Sequence, residues 1–128
     1  TIIDDVYNAN PVSVAEALEI TAMIKARGKR LAVLGPMTEL GQAAAQAHKE
    51  VGRKVAEFHI DKLVAVGDVT AAVVESAIEN GLAEKDVQWF ESKEAATEWL
   101  KSNLVPGDIV LIKGSRIAGL ESVVEELT

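Results

Sequence analysis

The chain has 128 residues, no cysteine, two histidines and a formal net charge of −7. That excludes a disulfide framework and thiolate-held zinc or iron–sulfur centres, and it leaves little for a histidine-rich metal site. The excess of 20 Asp and Glu over 13 Lys and Arg argues against a nucleic-acid or anionic-membrane partner, and no apolar run nears the roughly 18 residues of a bilayer span.

The length favours one intracellular globular domain, able to bury roughly two-thirds of its unfolded surface without a staple. Short β-branched runs alternate with helical periods along it. Thr1–Asp4 reads as a strand, followed by a helix whose apolar stripe is Val14, Ala17, Leu18, Thr21 and Ile24. Pro11 suits the first helical position. Asn10 competes for the cap with a Ser13–Glu16 capping-box spacing. Gly28 stands where a left-handed helix end is expected. Arg30–Leu34 is the second strand, and Ala44, Ala47, Val51, Val55 and Phe58 mark the second helix. Leu63–Val66 is the third strand; Thr70 is a candidate cap for a helix striped by Ala71, Val74, Ala77 and Ile78, which ends at Gly81. Val87–Phe90 is the fourth strand, Ser92 caps the next helix, and Ala96, Trp99 and Leu100 are its apolar face. Asp108–Ile112 is the fifth strand, followed by Ile117, Leu120, Val124 and Leu127.

Most of these strands are apolar at consecutive positions, which signals burial on both faces and a parallel sheet between helix layers. The expectation over residues 1–128 is a single Rossmann-like, doubly wound α/β domain. It has a mostly parallel sheet of five or six strands, about five helices, and an undetermined strand order. Ligands of such sheets bind beyond the carboxyl ends of the strands.

The first strand end reads Asp4-Asp5-Val6-Tyr7-Asn8-Ala9-Asn10-Pro11. Two carboxylates, a phenol and two amides before a helix N-terminus suit a ribose, a phosphate-bound cation or a polar substrate tail; the same residues also serve as turn formers and a cap. The second strand end, Gly35-Pro36-Met37-Thr38-Glu39-Leu40-Gly41, reads as a βα loop in which Glu39 is a weaker candidate. His48 is expected half-buried and hydrogen-bonded in the second helix, and His59 solvated at its end. Asp68 is equally a cap or a ligand group. The fifth strand end, Lys113-Gly114-Ser115-Arg116, puts two cations, a hydroxyl and a glycine before the last helix, chemistry that suits a carboxylate or phosphate. There is no Gly-x-x-x-x-Gly-Lys-Ser/Thr loop, no Gly-x-Gly-x-x-Gly and no assignable nucleophile set. The chain carries half of a site.

The segments Asp4 to Pro11, Leu34 to Gly41, His48-Lys49-Glu50-Val51-Gly52 and Lys113 to Arg116 resemble the C-terminal domain of the Mur ligases, over essentially the whole chain and in order. They are most similar to the branch that adds D-alanyl-D-alanine to UDP-N-acetylmuramoyl tripeptide in bacterial peptidoglycan synthesis. The pattern departs at Pro36, where the family has an aspartate, and at Val6, where a small polar residue is common.

The resemblance implies a cytoplasmic three-domain enzyme of which this chain is the closing lid, excised at a strand. The other two domains would hold the UDP-sugar and most of the ATP and Mg2+ site. The implied reaction passes through an acyl phosphate that the dipeptide amine attacks, with magnesium neutralising the crowded oxygens. That intermediate requires positioning and water exclusion rather than a protein nucleophile. Asp5, Tyr7, Asn8 and Asn10 are implied nucleotide contacts, and Lys113, Ser115 and Arg116 are implied dipeptide contacts. No catalytic residue and no metal ligand is implied in this domain, and the isolated fragment is expected to be inactive. Two rivals come from other classes. A phosphoacceptor receiver domain would use the paired acids, Asp68 and Lys113, but Lys113 precedes Gly114 instead of the usual proline. A stand-alone binding module would bind a ligand unaided.

Overall fold

The computed structural model describes residues 1–5, 10–38, 40–114 and 119–128, and of Asp5 the backbone only. Among these residues the sheet has five strands, all parallel: β1 (Ile2–Asp5), β2 (Arg30–Leu34), β3 (Lys62–Val66), β4 (Val87–Phe90) and β5 (Ile109–Lys113). The helices are α1 (Pro11–Met23), α2 (Ala44–Glu57), α3 (Ala71–Glu79), α4 (Lys93–Asn103) and α5 (Glu121–Leu127). The strand order is β1-β5-β2-β3-β4.

That order fixes the layers. The steps β1→β2, β2→β3 and β3→β4 all run in one direction across the sheet, and right-handed crossovers then put α1, α2 and α3 on one face. The step β4→β5 runs back, so α4 crosses the other face. The two cores agree. One joins Leu18, Val51, Val55, Val73 and Ala77 to the strand residues Ala32, Leu34, Leu63 and Leu111. The other joins Ala96, Leu100, Leu120 and Val123 to Leu31, Val33, Val64, Val110 and Ile112. Neighbours along each strand point to opposite cores, which is why their apolar residues are consecutive.

Helix boundaries follow local chemistry. Asn10 wins the competition for the α1 cap: its Oδ1 accepts from the Ser13 amide at 2.9 Å, and its own amide donates to Ser13 Oγ at 3.1 Å. The Ser13–Glu16 box is therefore not formed. Ser92 caps α4, accepting from the Ala95 amide at 3.2 Å. Ser92→Ala is expected to cost about 1 kcal/mol, read as a lower urea midpoint at unchanged slope.

Several expectations need correcting. Thr70 gives no side-chain cap; a 3-10 turn, Asp68–Thr70, leads into α3, and the Thr70 hydroxyl donates back to the Gly67 carbonyl at 2.6 Å. Gly28 is not a left-handed helix end. Helix α1 stops earlier, at Ile24, and Gly28 is required because a Cβ there would lie 2.3 Å from Asp108 Oδ1. Gly81 does take the left-handed conformation after α3 (φ 116°), and so does His59 after α2 (φ 55°), in solvent as expected. The α3 stripe is Val73, Ser76 and Ala77, with Ala71 exposed. In α5 the buried residue is Val123, and Ile117 lies outside the described residues.

Candidate functional site

Strand β5 is the pivot of the doubly wound arrangement. Its two neighbours, β1 and β2, feed helices on one face, while β5 leads towards α5 on the other. A crevice therefore opens where the carboxyl ends of these three strands meet, the position at which such sheets take ligands. Register brings Asp5 and Leu34 to either side of Lys113. All the segments singled out in the sequence, except those around Asp68 and His59, converge there.

The backbones at this edge touch closely. The Gly35 amide donates to the Lys113 carbonyl at 2.9 Å. A Cβ on Gly114 would sit 2.7 Å from Leu120 Cδ1 and 3.2 Å from Gly35 Cα, so position 114 has no room for a side chain. Pro36 packs on the end of β3, its Cγ 3.3 Å from where a Cβ on Gly67 would stand.

Lys113 is not at a solvated rim. It is 1% exposed and shares the β5 face of Leu111, where it lines a narrow cavity with Val14, Leu34, Met37, His48 and Val51. An ammonium is seldom buried this deeply. His48 is also fully buried rather than half-buried, and both its ring nitrogens are used. The Met37 amide donates to Nε2 at 3.1 Å, so Nε2 is the acceptor and Nδ1 carries the proton, which it gives to the Ala44 carbonyl at 2.7 Å. Sequence reasoning placed His48 beside the apolar stripe but missed its link to Met37, eleven residues away. The available signal was that a histidine one turn into a helix after a glycine-bounded loop can reach back over that loop.

Asn10 commits its Oδ1 to the cap. Asp68 is exposed at the start of its 3-10 turn. Tyr7, Asn8, Glu39, Ser115 and Arg116 lie outside the described residues. Among the described residues no group of three or more His, Asp or Glu side chains could hold a metal ion, and no helix is long and apolar enough to cross a membrane. The shifted ionisations lie away from the crevice. Arg53 holds the Glu50 carboxyl below its ordinary range through a hydrogen-bonded pair on the outer face of α2, and Lys101 does the same to Glu126 between α4 and α5. Solvent-facing pairs of this kind contribute little.

The fold and the crevice define the chain as a doubly wound α/β module whose ligand edge carries glycines, a buried cation and an acidic strand end. It belongs to the Mur ligase family: the family model for the Mur ligase glutamate ligase domain matches residues 1–116, which makes this a Mur ligase C-terminal domain. Among curated proteins it is 36% identical to the UDP-N-acetylmuramoyl-tripeptide–D-alanyl-D-alanine ligase of Bacillus subtilis, over 99% of this chain and 28% of that protein. It is 38% identical to the ligase of the same name from Mycobacterium tuberculosis, again over 99% and 28%. Among solved structures it superposes on MurF from Acinetobacter baumannii with a TM-score of 0.82 at 30% identity, covering 98% of this chain and 27% of that one. MurF ligase from Thermotoga maritima, determined in complex with ADP, gives 0.78 at 26% identity with the same coverage. The chain thus spans a little over a quarter of the length of these relatives.

Proposed function

We propose that this chain is the closing domain of a three-domain, ATP-dependent ligase that joins D-alanyl-D-alanine to UDP-N-acetylmuramoyl tripeptide. The observation that carries the reading is the match of virtually the whole chain to enzymes of that name. The ADP in the Thermotoga complex supports ATP as the energy source. The receiver-domain alternative has no such support.

In this reading the domain supplies no nucleophile. Its strand ends close over reactants held by the parts of the enzyme outside this chain. Asp5, Tyr7, Asn8 and Asn10 reach the ribose and phosphates, and Lys113, Ser115 and Arg116 face the dipeptide carboxylate. The chemistry of these groups fits that division: carboxylate and amides accept from ribose hydroxyls, and guanidinium and ammonium donate to a carboxylate. Mg2+ would be held outside this chain, where it would offset the phosphate charge. Closure keeps water from a reactive acyl phosphate, the service such a lid performs. ATP and a UDP-linked substrate put the reaction in the cytoplasm.

The test is kinetic, in the full-length ligase. Arg116→Ala is expected to raise the KM for D-Ala-D-Ala about tenfold or more, the loss of a charged hydrogen bond, and to leave the KM for ATP nearly unchanged. Equal effects on both would count against the dipeptide role, and absence of ATP-dependent amide formation by the unaltered enzyme would reject the reading.

A further inference from the structure

We infer that His48 is a positioning residue of the ligase reaction, acting through the main chain of the loop after β2; the inference rests on the reading proposed above. The histidine touches no solvent, being 1% exposed, and its two nitrogens hold two different backbone segments. Nδ1–H donates to the Ala44 carbonyl in the first turn of α2, which orients the ring and fixes its tautomer. Nε2 then accepts the Met37 amide from the loop. Without that acceptor a buried backbone N–H would be orphaned, because Met37 itself is only 4% exposed.

The loop so held lies against the ligand edge. Gly35, two residues before Met37, is bonded to the Lys113 carbonyl, and Met37, His48 and Lys113 line one cavity of ≈ 10 Å³, room for one water at most. A shift of the Met37 amide is therefore transmitted to the Lys113-Gly114 strand end, where close packing leaves no slack. Positioning errors at such a distance are known to cost rate out of proportion to their size. The preceding residue, Pro36, has no N–H of its own, so the Met37 amide is the nearest donor by which this end of the loop can be tied.

Side-chain length separates this role from simple core filling. A glutamine carbonyl lies as many bonds from Cβ as Nε2, and an asparagine carbonyl as many as Nδ1. His48→Gln keeps an acceptor for Met37, whereas His48→Asn keeps a partner only for the helix side. In the full-length ligase, His48→Gln is expected to retain kcat and both KM values within about threefold. His48→Asn is expected to raise the KM for D-Ala-D-Ala about tenfold, the scale of one orphaned buried amide, while the KM for ATP stays within about twofold, with folded protein confirmed by its melting transition. Equal kinetics for the two variants would overturn the inference. So would a His48→Asn protein that fails to fold, since the histidine would then serve stability alone, or a loss in His48→Gln as large as in His48→Asn. An unaltered enzyme that forms no amide would instead sink the ligase reading, so the two failures are told apart.

Discussion

Gly52→Val is expected to lower stability by about 3 kcal/mol or more and to drop the melting temperature by roughly 10 °C. Gly52 is inside α2, where glycine ordinarily costs about 1 kcal/mol relative to alanine. Here the sign reverses, because α3 lies directly against it. A Cβ at position 52 would stand 2.3 Å from the Val73 carbonyl oxygen, 2.8 Å from Ser76 Cβ and 2.9 Å from the Ala77 amide nitrogen. All three are backbone or Cβ atoms, so no rotamer change relieves the clash, and the helices must separate. Separation would also break the bond from Ser76 Oγ to the Lys49 carbonyl, 2.5 Å long and half-buried between the helices. Gly52→Ala should move in the same direction by a smaller amount, and the α2–α3 half of the core, Val51, Val55, Val73 and Ala77, would loosen with it. Thermal unfolding followed by circular dichroism reads the effect. An alanine variant more stable than the parent would show that the close approach does not constrain the helices.

That close approach illustrates what a sequence reveals and what it withholds. The strands were legible because burial on both faces leaves a run of apolar residues: β2 and β4 have the expected limits, and β1 and β5 are displaced by a single residue. The displacement comes from pairing. Lys113 is a strand residue because it pairs with Asp5 on one side and Leu34 on the other, and its own polar chemistry gave no hint of that. Its burial was nevertheless implicit in the alternation, since Lys113 must share a face with Leu111, two residues earlier. The faces of α1 and α4 followed from period alone, whereas the face of α3 was misjudged because it is set by Gly52 and Ser76, small residues that a hydrophobic stripe does not register. Gly28 and Gly81 look alike as helix enders. Only one is, since the reason for Gly28 is the carboxylate of Asp108, 80 residues away. The convergence of the first, second and fifth strand ends could not be read without the strand order, although each segment was recognised separately.

The largest effect on activity is expected from Asp5→Ala in the full-length ligase: turnover reduced roughly 10- to 100-fold, the loss of hydrogen bonds to one charged group, with little change in melting temperature. The second half of that expectation follows from the sheet. Position 5 is held by main-chain pairing to Lys113 at the end of β1, and alanine preserves that ladder. The first half follows from where β1 ends, at the crevice flanking β5, just before a helix whose first turn carries no acidic side chain. A carboxylate there can accept from the two hydroxyls of a ribose, while the unneutralised helix end favours the phosphates. Asp5→Asn keeps the shape with one acceptor oxygen instead of a charged pair, so an intermediate loss is expected from it. A loss in both variants that appears in kcat at saturating ATP would mark a contact made on closure of the domain, because an interaction formed only in the closed, reacting complex lowers kcat and kcat/KM together. A change confined to the KM for ATP would mark ordinary ground-state binding, and unchanged turnover would remove Asp5 from the site.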